Sequence, residues 1–182
     1  APLRVARRTL ANFKIARIAK NLETMSRVAP RIMVRPQLIF GMPGDTLAGY
    51  RRTLEWVLAK NVAGIVTTPF HALPGTEFFE APARRGLKAS SAPPYNLASA
   101  PGFSAADMRV ARELSFQVNL VYAMGPAVAR TLRSLGRGRK GPYPVLDLFC
   151  AFARFCEASG ELSWLPRCKA AVLSSINFNL DY

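Results

Sequence analysis

The chain has 182 residues, enough for one domain with a sizeable core, and half of them are apolar, which excludes a disordered or low-complexity protein. Its 25 Lys and Arg against 11 Asp and Glu give a net charge of +14, spread unevenly. The longest charge-free stretch, LSFQVNLVYAMGPAVA, is broken by Gln117, Asn119 and the Gly125-Pro126 pair, so no membrane span or membrane partner is expected.

Residues 4–28 carry the first helical pattern: Ile15, Ile18, Leu22 and Met25 step by three and four between Arg and Lys, and Pro30 ends the run. The chain opens on Ala1 with no apolar signal segment, which reads as a cropped or processed chain of cytoplasmic type. RIMVRPQLIF then predicts a strand. Leu38, Ile39 and Phe40 are consecutive apolar residues, the pattern of a parallel strand covered on both faces.

The strand breaks at Gly41-Met42-Pro43-Gly44, where Pro43 and Gly44 suit a type II turn, and Asp45 or Thr46 can cap the next helix. That helix, 46–60, is expected to bury Leu47, Tyr50, Leu54, Val57 and Leu58 and to leave Arg51, Arg52 and Glu55 outside. VAGIVTTPF follows as a second apolar strand, completing a right-handed βαβ unit. A near-echo, His71-Ala72-Leu73-Pro74-Gly75, repeats the Pro-Gly turn at the end of this strand.

Beyond it, Thr76 is placed to cap a short helix over 77–86, and the Pro- and Ser-rich stretch 88–102 predicts an irregular connection. Ser104 to Asp107 looks like a capping box for a helix to about 123, with Val110, Leu114, Val118 and Val121 on one face. Further helices are expected over 126–135 and from Pro144. KAAVLSSI is a weak third strand inside an ambiguous tail, 161–182.

Candidate chemistry is sparse. The three cysteines, Cys150, Cys156 and Cys168, have a spacing that fits neither a zinc knuckle nor a disulfide framework, and read as buried structural thiols; Cys150 and Cys156 fall on different faces of a helix. His71 is the sole histidine, so no His-based metal site or catalytic dyad can be assembled, and no metal ligands are assigned. Two basic clusters, residues 1–36 and 130–140, could meet nucleic acid or another polyanion. Their residues are nearly all Arg, scattered on amphipathic helices without a nucleic-acid motif, so solvated faces are expected and nucleic acid is not the expected partner. A non-enzymatic basic α/β binding module is the alternative reading of the chain.

Two parallel strands are too few for a stable sheet. Together QLIFGMPGDTLAGYRRTLEWVL, ALPGTEFFEAPARRGL and APPYNLASAPGFSAADMRVARELSFQVNLVY resemble, in order and spacing, the C-terminal half of a radical SAM enzyme. The subgroup with a cobalamin-binding domain ahead of the barrel is the most similar. The resemblance implies an α/β fold, the C-terminal part of a partial (β/α)6 TIM-like barrel over 1–100, followed by a helical extension over 101–182. It further implies a complete enzyme in which a [4Fe-4S] cluster cleaves S-adenosylmethionine to a 5′-deoxyadenosyl radical, with cobalamin as a further cofactor in that subgroup and a separate electron donor. The cluster's C-x3-C-x2-C motif does not occur in this chain, and neither does a cobalamin-binding segment, so the chain is expected to be a fragment, inactive alone, whose partner is the missing N-terminal part of the barrel. By the same resemblance Gln37 and Ile39 match cosubstrate-pocket positions, and Phe70 and His71 match a region lying along the adenine. The resemblance identifies no catalytic residue and no substrate.

Overall fold

The computed structural model describes residues 15–29, 32–60, 62–137 and 143–174. In chain order these form α1 (Ile15–Val28), β1 (Gln37–Phe40), α2 (Leu47–Leu58), β2 (Val66–Pro69), α3 (Glu77–Glu80), a 3-10 turn (Ala83–Arg85), β3 (Lys88–Ala89), β4 (Leu97–Ser99), α4 (Ala105–Ala123), α5 (Pro126–Arg137), α6 (Val145–Ser159) and α7 (Leu165–Ser174). The architecture is α/β and mostly helical. The first helix is seen from Ile15; its expected start at 4–14 lies outside the described residues.

β1 and β2 pair in parallel, Gln37 opposite Val66 and Phe40 opposite Pro69, with α2 as the crossover. Side chains alternate across the pair. Phe40, Thr67 and Pro69 are buried on the face that meets the helices, with Leu38 partly covered beside them, whereas Gln37 and Ile39 are exposed, Ile39 to 55%. The expectation of strands covered on both faces is therefore corrected. One face is packed and the other is open, because among the described residues no layer lies over it.

α4 occupies the centre of the molecule, against α2, α5, α6, α7 and both β2 and β4. Leu114 to Val121 are eight consecutive buried positions, so the helix is covered all round. The single expected face was too narrow, and Val110, placed on it, is exposed. Being covered all round puts polar groups inside, and each finds a partner. Ser115 Oγ donates to Ala111 O at 2.7 Å and accepts from Tyr50 OH at 2.7 Å, and Asn119 Nδ2 donates to Ser115 O at 2.9 Å and reaches Thr67 Oγ1 at 3.4 Å. This chain of hydrogen bonds ties α4 to α2 and β2. The buried cluster runs continuously from Phe40 to Leu165, across residue 100.

The capping box forms as expected: Ser104 Oγ accepts from Asp107 N at 3.1 Å and Asp107 Oδ2 accepts from Ser104 N at 2.8 Å. Glu55 corrects its own expectation. It is half-buried, and its two carboxylate oxygens accept from Val145 N and Leu146 N at 2.9 and 2.7 Å, capping α6 from across the molecule. Pro144, at the position before that helix, offers no side-chain cap of its own, and the carboxylate supplies what it lacks. Leu47 is only partly covered. Lys169 joins α7 to α4 and α6 through Glu113 at 2.7 Å and Glu157 at 2.6 Å.

Three further expectations change. The helix over 77–86 breaks at Ala81-Pro82 into α3 and the 3-10 turn, and Gly86 ends it in a left-handed conformation. Thr76 occupies the N-cap position of α3, but its hydroxyl donates back to Leu73 O at 2.6 Å rather than capping the helix. The supposedly irregular stretch contains the antiparallel β3–β4 hairpin, and the weak strand in KAAVLSSI is α7 as far as Ser174, the rest lying outside the described residues. Cys150 and Cys156 are both buried and Cys168 partly so, as structural thiols should be. Burial pushes the Cys150 thiol up to about 11. Among the described residues no helix is long and apolar enough to cross a membrane.

Candidate functional site

Parallel strands carry their ligands at the C-terminal ends, where the loops to the following helices gather. In this chain those loops are 41–46 and 70–76, the two Pro-Gly echoes. Gly41 begins the first with φ +78°, and a Cβ there would come within 2.6 Å of Met108 Sδ, so the chain turns here by running bare backbone against α4. Asp45 N donates to Met42 O at 2.9 Å to close the turn, and Thr46 Oγ1 accepts from Gly49 N at 3.0 Å to cap α2. Burial raises the Asp45 pKa, opposed by the backbone of Thr46 and Gly41 and by Arg52. The echo is also an echo of exposure. Met42 and Leu73, each just ahead of Pro-Gly, both stand out into solvent.

A strap crosses both loops. It comprises residues 87–103, including the β3–β4 hairpin. Pro101 O accepts from Gly44 N at 3.4 Å, Tyr95 O accepts from Ala72 N at 3.3 Å, and Asn96 forms an antiparallel bridge with His71. Gly102 (φ +84°) lies so close to the first loop that a Cβ would stand 2.7 Å from Asp45 O. The Tyr95 ring meets Phe79 edge-on at 5.5 Å.

The four residues singled out by sequence fall into two groups. Gln37 and Ile39 share the open face of β1, beside Val66 and Thr68 of β2. Phe70 continues the alternation on that side; its N–H donates to Phe40 O at 2.8 Å and its ring meets Phe78 edge-on at 5.1 Å. His71 falls on the opposite side, toward α4 and Arg112. Gln37 sits level with Val66, five residues before His71, or about 16 Å along the strand direction. The structure therefore brings Gln37, Ile39 and Phe70 to one surface and leaves His71 on another.

Sequence reasoning missed Asn96 and Arg112, the residues gathered around His71. Asn96 was hidden in a stretch read as irregular. Arg112 lies one turn beyond Met108, a charged position entering the buried length of α4, and that interruption was the available signal. The open face offers an apolar floor, Ile39 and Val66, edged by the Gln37 carboxamide and the Thr68 hydroxyl.

The basic cluster at 130–140 does not form a shared surface over its described part. Arg133 is buried, donating to Val62 O at 3.2 Å and reaching Tyr122 OH at 3.4 Å, while Arg130 is exposed. Residues 138–140 lie outside the described residues, as do 1–14 of the other basic segment. Among the described residues, no group of three or more His, Cys, Asp or Glu is placed to hold a metal ion. No protein-family model, curated protein or solved structure matches the chain.

Proposed function

We propose that this chain is the C-terminal portion of a radical SAM enzyme, two closing strands of its barrel plus the helices that pack on them. The observation that carries the reading is the one-sided sheet. β1 and β2 form a parallel βαβ unit whose helix side is packed, while the side bearing Gln37 and Ile39 is open. An open face with apolar residues on it has the form of a barrel interior whose opposite wall comes from elsewhere. α1 adds to this: Ile15, Met25 and Val28 of its apolar stripe are exposed, as on a helix lacking the strand it should cover.

On this reading Gln37 would meet the polar part of S-adenosylmethionine and Ile39 its apolar part, with Phe70 beyond, and the cosubstrate would supply the radical chemistry of the complete enzyme. The chain's own cysteines do not fit a [4Fe-4S] cluster, because Cys150 and Cys156 are buried in the core and no metal-holding group is gathered among the described residues. Cluster ligands, any cobalamin-binding domain and the docking site of an electron donor therefore belong to the part of the enzyme that precedes this one.

The test is to extend the reading frame upstream. It should encode C-x3-C-x2-C about 100 to 150 residues before Gln37, the length of some four β/α units of about 30 residues. The extended protein, reconstituted anaerobically with iron and sulfide, should release 5′-deoxyadenosine from S-adenosylmethionine under reduction, and Ile39→Asp should suppress that release. An upstream sequence without the motif, or a reconstituted protein that leaves S-adenosylmethionine intact, contradicts the proposal.

A further inference from the structure

The ladder between β1 and β2 uses only half of the backbone of each strand. Val66 N donates to Pro36 O at 2.9 Å and Phe70 N to Phe40 O at 2.8 Å, and ahead of the strands Ala63 N donates to Val34 O at 2.9 Å. The even-numbered residues of β1 therefore turn their N–H and C=O toward β2, and Gln37 and Ile39 turn theirs to the outer edge. Both are exposed, and among the described residues nothing bonds to those backbone groups. On β2 the same alternation puts Ile65, Thr67 and Pro69 outward. That edge is blunted twice: Ile65 and Thr67 are buried, and Pro69 has no N–H to offer. Pro36 does not blunt β1 in this way, because it faces β2 and its missing N–H leaves the outer edge whole. Sheet edges are ordinarily blunted or covered. This sheet can grow by one strand, and only at β1.

We infer that a second copy of the chain fills this edge. The two β1 strands pair antiparallel about a twofold axis and give a four-stranded sheet with β1 and its copy at the centre and the two β2 strands outside. A head-to-tail stack of copies would need the β2 edge, which is blunted. Pairing β1 with β1 leaves a blunted edge at either end, so the assembly closes as a dimer.

The strand is complementary to itself when the axis passes through Gln37. Its N–H and C=O then exchange both bonds with Gln37 of the second copy, and its carboxamide, donor and acceptor at once, lies opposite an identical group. Like charges do not meet, which matters between two copies that each carry +14. Gln37–Phe40 is uncharged, and Arg35 falls opposite Ile39 of the second copy, where its stem can lie along the exposed apolar side chain. A contact along one short edge sits below the about 1,200 Å² of stable interfaces, so association is weak and reversible. The pairing does not rest on the radical SAM reading, since it follows from the ladder alone and leaves the open face uncovered. A longer protein supplying a neighbouring strand would occupy the same edge, so the dimer belongs to the 182-residue chain.

Sedimentation equilibrium of the 182-residue chain should show its mass rise with concentration from 19.9 kDa toward twice that value and stop there. At about ten times the dissociation constant, amide exchange at Gln37 and Ile39 should be about fivefold slower than in the dilute chain, with Thr67 unchanged. Ile39→Pro removes an N–H from the outer edge and none from the β1–β2 ladder, so it should abolish the rise in mass. A mass fixed at 19.9 kDa, growth beyond the dimer, or a dimer in which Gln37 and Ile39 exchange as fast as in the dilute chain would overturn the pairing. A dimer that persists in Ile39→Pro would overturn it too. The mass and exchange measurements use the unaltered chain, so they decide the matter even if the variant does not fold.

Discussion

β1 and α4 are both dominated by apolar residues, yet their surroundings differ. Each of the eight residues from Leu114 to Val121 is covered, and the polar ones among them are hydrogen-bonded inside the molecule or to Glu113 at its margin. In β1 only Phe40 is fully buried, and Ile39 faces solvent across an open sheet. The helical half completes its own core. The β half has a core on one side and, on the other, a face left open among the described residues. Apolar content alone does not separate these cases; which neighbours the chain itself supplies does.

The contrast can be broken most directly by truncation. Phe149 is fully buried and meets Tyr122 at 5.8 Å, so Phe149→Ala should cost about 3–5 kcal/mol in urea unfolding. Ile39→Ala should cost within about 0.5 kcal/mol, as for an ordinary surface position. Equal costs would remove the distinction between the two halves.

Smaller changes sharpen it. Glu55→Ala strips α6 of its cap and leaves two amides without their acceptor, for an expected loss of about 1.5–3 kcal/mol, read from the shift in unfolding midpoint. Arg51 and Asp147, 3.1 Å apart between the same two helices, are exposed, and Asp147→Asn should cost about 0–1 kcal/mol. If the two substitutions cost the same, α2 and α6 are held by surface charge and not by the cap. Tyr50→Phe removes one buried hydrogen bond while Ser115 keeps its bond to Ala111, and should cost about 1 kcal/mol by the same measurement.

Much of the element order was legible in the residues. The alternation of strand, amphipathic helix and strand fixed the parallel pair, and Ser104 with Asp107 announced the start of α4 by local chemistry alone. Long-range partners were not legible. Nothing around Glu55 indicates that its carboxylate meets α6 some 90 residues away, and nothing in the run Leu38-Ile39-Phe40 tells whether its second face is covered. A run of apolar residues states a demand for cover and not its supply. The site divides in the same way. Gln37 and Ile39 follow from strand alternation once the covered face is known, whereas the surroundings of His71 depend on a hairpin built from a Pro- and Ser-rich stretch with no strand signature.

On the proposed reading, the open face of β1 and β2 would become an interior in a longer protein that supplies the rest of a barrel. Maleimide labelling of Ile39→Cys in a Cys168→Ser background measures this, since Cys150 and Cys156 are buried thiols and react slowly. Labelling should be fast in the 182-residue chain and strongly suppressed when the same chain is expressed with its upstream coding sequence. Equal labelling in the two proteins would contradict the barrel reading.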